Sequence, residues 1–385
     1  MIMLRRILLF LIVFSPPLKY LFLTPSKIAV LVMVVLFMDK LLTARIYSRK
    51  VLVIASAWLL YTTVRVFISW EFSFLIQQFF FYVEYLFASF LFVNIFYSCK
   101  NFIEVEKDVA WIGIVQSFLV LFMALNHNFY ELVLSLYRLD WASYVVELNQ
   151  RYLGLRGFGF SGSLTYDLSI VLGFSNLALL SLYRKKVLSF NVVIAGTILL
   201  TLAGLFVARS YFLVLIVMLF FLLNSYKKFA FFGLIAVSGL LLVFIFKDFI
   251  LSLLSSSGRS VWIFEGVISL LDSGNYKSTS TNALRLMYHI DYSDILGKGV
   301  YTNTQGGYFG HTDVGYLRHY LFGGIIGLIF MLLFWINWTR GILGNRMLLS
   351  IFILMILINF KGDIFFSSGQ AIRMSSILFL SWRKR

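Results

Sequence analysis

Apolar residues come along this chain in runs of roughly 15–25, long enough to cross a bilayer as helices. Short clusters of charge, glycine or proline separate them. This spacing predicts twelve helical spans, near 6–23, 28–42, 51–69, 73–97, 108–125, 165–183, 187–206, 209–225, 229–246, 316–337, 347–360 and 364–381. Pro16 and Pro17 interrupt the first, and the second is short. Lys361 and Asp363 split the last pair, which reads either as two short helices or as a re-entrant hairpin. No small-residue cleavage site follows the first run, so it reads as a retained span and not as a cleavable signal. Two connections are long, 126–164 and 247–313, and in a compact protein long loops are usually functional or disordered. Both carry aromatics, glycines and mixed charge, which argues against disorder. Within the first, the apolar positions Phe129, Leu132, Val133, Leu136 and Tyr137 predict a helix over 129–148 lying in the outer interface. The expected fold is an all-α, polytopic membrane helix bundle, a single integral membrane domain over 1–385 with two large outer loops.

Composition strengthens this reading. Hydrophobic residues make up 61% of the chain and charged residues 13%, with a mean hydropathy of +0.90. A soluble domain is nearer half apolar and a quarter charged. The net charge of +16 would suggest nucleic acid in a soluble protein. Here its distribution follows topology: with the N-terminus inside, 18 of the 33 basic residues fall in seven short cytoplasmic segments. Both termini are then cytoplasmic, both long loops lie outside, and no nucleic-acid partner is expected. The single cysteine, Cys99, excludes an intramolecular disulfide and a multi-cysteine metal cluster. The two halves show no internal repeat of the kind common in transporters.

Polar chemistry gathers on the outer side. His127, His289, His311 and His319 all map there, as do Arg65, Arg138, Arg151, Arg156, Arg209, Arg259, Arg285, Arg318 and Arg373. Outer arginine runs against the positive-inside trend. A group of arginines suits a phosphate or pyrophosphate, because the guanidinium fork bonds phosphate oxygens in pairs and keeps its charge. The alternative is contact with lipid phosphates or with loop carboxylates. The first loop ends in a glycine-rich segment containing Arg151 and Arg156, over 151–162, where backbone can approach a ligand closely. Arg209 and Ser210 occupy a turn short enough to hold Arg209 at the membrane boundary. The second loop carries Gly258-Arg259, Glu265 and the run Gly310–Tyr320 with His311, Asp313 and Arg318. On one helix Asp313 and Arg318 would sit about 140° apart around the axis, so His311 comes from the loop before it. A histidine near an aspartate can accept a proton from a hydroxyl, which makes His311 beside Asp313 a candidate; a solvated loop histidine is the alternative. Phosphate-loop, nucleophile-elbow and zinc-helix motifs are absent from the sequence. Glu84 reads as the one acid deep in a span, bonded to a neighbouring helix.

Taken in order, several of these segments resemble the Wzy-type O-antigen and exopolysaccharide polymerases, relatives of the O-antigen ligases. They are the glycine- and arginine-rich outer loop, Ala208-Arg209-Ser210 after an apolar helix, and Gly258-Arg259 followed by Trp262. Thr312-Asp313-Val314-Gly315-Tyr316-Leu317, leading into Gly323-Gly324-Ile325-Ile326-Gly327, completes the set. The resemblance covers roughly residues 108–337. Family members often carry a Pro-Asn pair where this chain has Ser161-Gly162-Ser163. The resemblance implies a GT-C-like glycosyltransferase architecture in a bacterial plasma membrane. It also implies transfer of a growing glycan from undecaprenyl pyrophosphate to the non-reducing end of a new lipid-linked repeat, without a metal or other cofactor. In that resemblance Arg151, Arg156, Arg209 and Arg259 would surround the pyrophosphate, with Arg285 and Arg318 as further candidates, and activation of the acceptor hydroxyl would fall to His311, Asp313 or Glu265. A chain-length regulator and a flippase are the protein partners such a pathway implies. The alternatives are a ligase transferring glycan to lipid A core, and a flippase for the lipid-linked sugar.

Overall fold

The computed structural model describes residues 2–39, 49–97, 102–151, 157–163, 165–222, 268–270, 273–275, 278–288, 295–303 and 308–383, together with Glu265. The described residues form an all-α bundle. Its helices are α1 (Ile2–Phe14), α2 (Pro25–Leu36), α3 (Arg49–Ser69), α4 (Ser73–Phe96) and α5 (Phe102–Leu125). After these come α6 (His127–Ser135), α7 (Leu139–Arg151), α8 (Tyr166–Arg184), α9 (Phe190–Val207) and α10 (Tyr211–Leu222). The chain closes with α11 (Thr279–Met287), α12 (Gly315–Trp338), α13 (Arg346–Asn359) and α14 (Gly369–Arg383). Among the described residues, α3, α4, α5, α8, α9 and α12 are long and apolar enough to cross a membrane. The remaining predicted runs fall on shorter helices, apart from 229–246, which lies outside the described residues. This is a polytopic membrane protein.

Two helices make the centre. Residues 167–182 of α8 are all buried, and so are residues 370–381 of α14. Around them α8 packs on α5, α9, α10, α13 and α14, while α14 packs on α1 and α4. Helices buried on every side in a bilayer cannot rely on water exclusion, so close approach and internal hydrogen bonds hold them. Gly113 of α5 is one such approach, because a Cβ there would overlap the Ser175 side chain of α8. Asn176 of α8 bonds Tyr211 of α10 at 3.0 Å and Thr197 of α9 at 3.0 Å. Asp167, at the head of α8, accepts the first backbone N–H groups of α14, from Ala371 at 2.9 Å and Gln370 at 3.4 Å. A carboxylate at a helix N-terminus satisfies donors that the helix itself leaves unpaired.

Three local features depart from the sequence expectation. The stretch 129–148 is two helices, α6 and α7. They part at Leu136–Arg138, where Tyr137 pairs with Leu18 and Arg138 N–H donates to Pro17. Secondly, α5 begins six residues earlier than the apolar run suggests. Glu106 and Asp108 are therefore fully buried, and Glu84 is not the one deep acid. Thirdly, the glycines of α12 do more than permit close packing. Gly323 and Gly327 do lie against Tyr61 and Trp58 of α3. Gly324, at φ 61°, breaks the helix. The Leu321 and Phe322 carbonyls that this break frees accept N–H groups from Lys298 (2.7 Å) and Gly299 (2.9 Å) of the second loop. Arg65 donates to Gly297 O, at 2.5 Å, and Tyr61 to Gly323 O, at 2.7 Å. Irregular backbone at this depth is tolerated because protein encloses it.

The two ends of the bundle differ chemically. At one end Asp108 holds Arg6 (2.8 Å), Arg5 (2.5 Å) and the Tyr97 hydroxyl (2.9 Å), while Glu106 holds Lys185 and Ser181. Trp382 there packs edge-on to Phe102 and donates to Gly341 O. These contacts bring several of the basic segments expected inside to one end. The connections before α2, before α8, before α12 and before α14 lie at the other. A fluorescent-protein fusion at the C-terminus is expected to fluoresce in cells, and an alkaline phosphatase fusion there to be inactive. The reverse pair of results would invert the orientation.

Candidate functional site

The end carrying those four connections holds a buried polar cluster. Asp363 lies in the connection between α13 and α14 and is fully buried. Its carboxylate accepts from the Tyr301 hydroxyl (2.8 Å), the Ser367 hydroxyl (2.7 Å) and the Phe366 N–H (3.2 Å). His319 Nε2 lies 3.4 Å away. Burial alone would raise this carboxyl, yet His319, Arg318 and Ser367 hold it well below the usual carboxylate range. Burial pushes the Tyr301 phenol well up, against the pull of Arg318, so Tyr301 stays a neutral donor to an ionised acceptor. Hydrogen bonds to a charged acceptor are the strong ones.

Arg318, on the first turn of α12, is the unusual member. Its residue is 3% exposed. The guanidinium stacks 3.3 Å from the ring centre of Tyr308 and 4.6 Å from that of Tyr301. Both Nε and Nη2 are buried without a hydrogen-bond partner. His319 Nδ1 and Asn359 Nδ2 are unpartnered nearby. A buried donor left unpaired costs about 1–3 kcal/mol, more when charged. The arrangement therefore presents unused positive donors at the end of the bundle where the second loop packs.

The other expected residues take varied places. Asp313 precedes α12, its side chain exposed and its N–H donating to the Met287 sulfur at the end of α11. Partial loss of hydration raises the Asp313 carboxyl, and the Arg318 charge opposes that rise. His311 is exposed in a single turn at φ 52°, a left-handed backbone uncommon outside glycine. Arg285 is exposed on α11. Arg209 forms an ion pair with Glu265, so an arginine read as an anion clamp and a carboxylate read as a base bind one another. Arg151 closes α7. Arg156 and Arg259 lie outside the described residues.

Beside the cluster lies a cavity of about 320 Å³ between α1, α2, α4, α8 and α14, and Ser367 belongs to both. Lys27, Glu84, Asp167 and Arg373 supply its charge. Glu84 accepts from Arg373 Nη2 (2.7 Å) and from the Ser26 hydroxyl (2.6 Å), so it does bond neighbouring helices. It stands on a seven-residue π-helical stretch, Phe81–Phe87, a geometry frequent at functional sites. The sequence gives only fragments of this arrangement. His319 and Arg373 stand out as outer-side basic residues, Asp167 as the start of a span and Asp363 as a break between two runs. Among the described residues no three His, Cys, Asp or Glu side chains are grouped to hold a metal ion. No protein-family model matches the chain, and comparisons with curated proteins and with solved structures found no match either.

Replacing Asp363 by leucine leaves Arg318, His319 and Tyr301 facing an apolar side chain. Breaking a buried pair in this way costs about 3–5 kcal/mol. Asp363→Leu is expected to accumulate poorly or melt far below the wild type in detergent, and Tyr301→Phe to lose about 1–3 kcal/mol, the worth of one charge-assisted hydrogen bond. Unchanged melting in both variants would remove the cluster from the account.

Proposed function

We propose that this protein is a glycan polymerase of the outer leaflet, with the Asp313–Arg318–Asp363 end of the bundle as its reaction centre. The observation that carries the reading is the Arg318 guanidinium, buried and with two nitrogens unpaired. A diphosphate supplies the oxygens those nitrogens lack. The order of outer-loop segments, similar to that of Wzy-type polymerases, names the diphosphate as undecaprenyl pyrophosphate bearing the growing chain.

In this reading the bond between the donor's anomeric carbon and the pyrophosphate oxygen breaks. A hydroxyl at the non-reducing end of a second lipid-linked repeat forms the new glycosidic bond. Its proton passes to a carboxylate, and the diphosphate departs as an anion held by Arg318. A positive group aimed at charge developing on a leaving group is worth several kcal/mol of barrier. Asp313 suits the proton's destination: it is exposed, within electrostatic reach of Arg318, and has its carboxyl raised. Glu265 suits it less, because Arg209 already occupies its carboxylate.

A second reading, carriage of the lipid-linked sugar across the membrane, is favoured by the charged cavity between α1, α2, α4, α8 and α14. Gene deletion separates the two. The polymerase reading expects surface glycan one repeat long, and the transport reading expects repeats trapped on the inner leaflet. Unaltered long chains would sink both.

In membranes supplied with lipid-linked repeats, Arg318→Ala should lower chain extension by about 100- to 1,000-fold, the size of effect seen when one charge-stabilising donor is removed. Arg318→Lys should recover part of the rate, because an ammonium keeps the charge but not the fork. Full activity in the alanine variant would move the anion site elsewhere. The pH profile tests the base. A general base works ionised, so the rate should fall on acidification through a pH above the ordinary aspartate value. Asp313→Asn should be slower throughout and lack that limb. An acid limb that persists in the variant would assign the proton to another group.

A further inference from the structure

The cavity between α1, α2, α4, α8 and α14 differs in kind from the anion-seeking Arg318 beside it. Its fixed charges are two cations and two carboxylates, so neither an anion nor a cation gains from the sum. They are also largely engaged with one another. Arg373 donates to Glu84 and to Ile12 O (3.0 Å), and its guanidinium stacks 4.6 Å from the Tyr85 ring centre. Lys27 Nζ lies 3.9 Å from Glu84, and Asp167 caps α14.

What the cavity leaves unmet is neutral hydrogen-bonding capacity. Gln370 is 2% exposed and lines the cavity. Its Nε2 donates to Phe14 O (3.1 Å) and to the Ser161 hydroxyl (2.6 Å), and its Oε1 has no partner. Arg373 Nε is likewise buried without a partner. A buried acceptor and a buried donor, both free, call for a ligand that gives and takes hydrogen bonds without carrying charge. The rings of Phe80 and Tyr85 line the same space, each with one face under a cation, Lys27 or Arg373. The volume falls at the lower end of the range for small-molecule sites. A sugar ring meets all of these terms: hydroxyls around its edge, C–H groups on its faces, and no net charge.

Position adds a further constraint. Ser367 donates to Asp363, within hydrogen-bond distance of Tyr301 (3.1 Å), and also lines the cavity. Ser367 is thus shared by this hollow and by the Asp363–Tyr301 cluster on which Arg318 stacks. In a glycosyl diphosphate the two groups are joined by a single bond.

We infer that this cavity is a glycosyl subsite, in which Gln370, Glu84 and Asp167 take the hydroxyls of the sugar next to the pyrophosphate. The inference rests on the polymerase reading for the identity of the diphosphate lipid, and on the cavity's own chemistry for the sugar.

The test uses the full chain in lipid nanodiscs, carrying Cys99→Ala and Thr24→Cys, so that the one thiol lines the cavity. Labelling by a water-soluble maleimide is timed with two probes: undecaprenyl pyrophosphate alone, and the lipid-linked glycan extracted from cells deleted for the gene. The glycan-bearing lipid should slow labelling about tenfold, as a ligand that fills a small pocket shields its walls. The bare diphosphate lipid should leave the rate unchanged, and a further Gln370→Met substitution should remove the protection. Equal slowing by both probes would overturn the glycosyl assignment, and so would slowing by neither. In the latter case native mass spectrometry of the same nanodiscs separates the failures. Retained lipid-linked glycan would sink the subsite alone, and no retained lipid would sink the polymerase reading with it.

Discussion

A charge taken out of water must be paired, or its burial costs several kcal/mol that a folded chain can ill spare. That constraint governs how this bundle is joined. At the basic end each buried carboxylate has a cation against it, with Asp108 and Glu106 bound by Arg5, Arg6 and Lys185. Nearer the other end Glu84 pairs with Arg373, and Asp167 accepts the first N–H groups of α14. At the far end the constraint is met only in part. Asp363 is satisfied four times over, while Arg318, beside it, keeps two nitrogens without a partner. The functional account follows from that imbalance.

The same constraint explains the geometry that brings the site together. Because Gly324 breaks α12, two of its carbonyls are free to bind the 295–299 segment, which carries Tyr301 up to Asp363. Because Asp167 caps α14, the α13–α14 connection that bears Asp363 and Ser367 is fixed against the head of α8. Breaks in regular structure are thus placed where polar groups are needed, and regular helix covers the rest. The cavity and the Arg318 cluster are two sides of one such break, and Ser367 stands between them.

How much of this is legible in the sequence depends on the range of the interaction. Helices are legible, because apolar spacing is local: each predicted span, apart from 229–246 outside the described residues, overlaps a helix, the span 6–23 only as far as Phe14. The exception in detail is α5. Its first two turns hold Glu104, Glu106 and Lys107, which look like loop until their partners on α1 and beyond α8 are known. Arg318 is legible as an outer arginine next to Asp313. Its neighbour Asp363, which bonds His319 and lies within electrostatic reach of Arg318, is not, because the contact spans more than forty residues and the aspartate reads as a break between two runs. Arg209 shows the opposite failure. Its position at a boundary suggests an anion site, with a loop carboxylate as an alternative, and it is the alternative, Glu265, that the fold supplies. Glu84 and Arg373 are 289 residues apart, and no local pattern links them.

The most direct test of the central claim is an electron cryo-microscopy structure of the full chain in nanodiscs with undecaprenyl pyrophosphate. The account predicts phosphate density within hydrogen-bond distance of Arg318 Nε and Nη2, with Tyr308 still against the guanidinium or displaced by the lipid head. A diphosphate resolved elsewhere on the bundle, with Arg318 still unpartnered between its tyrosines, would contradict it.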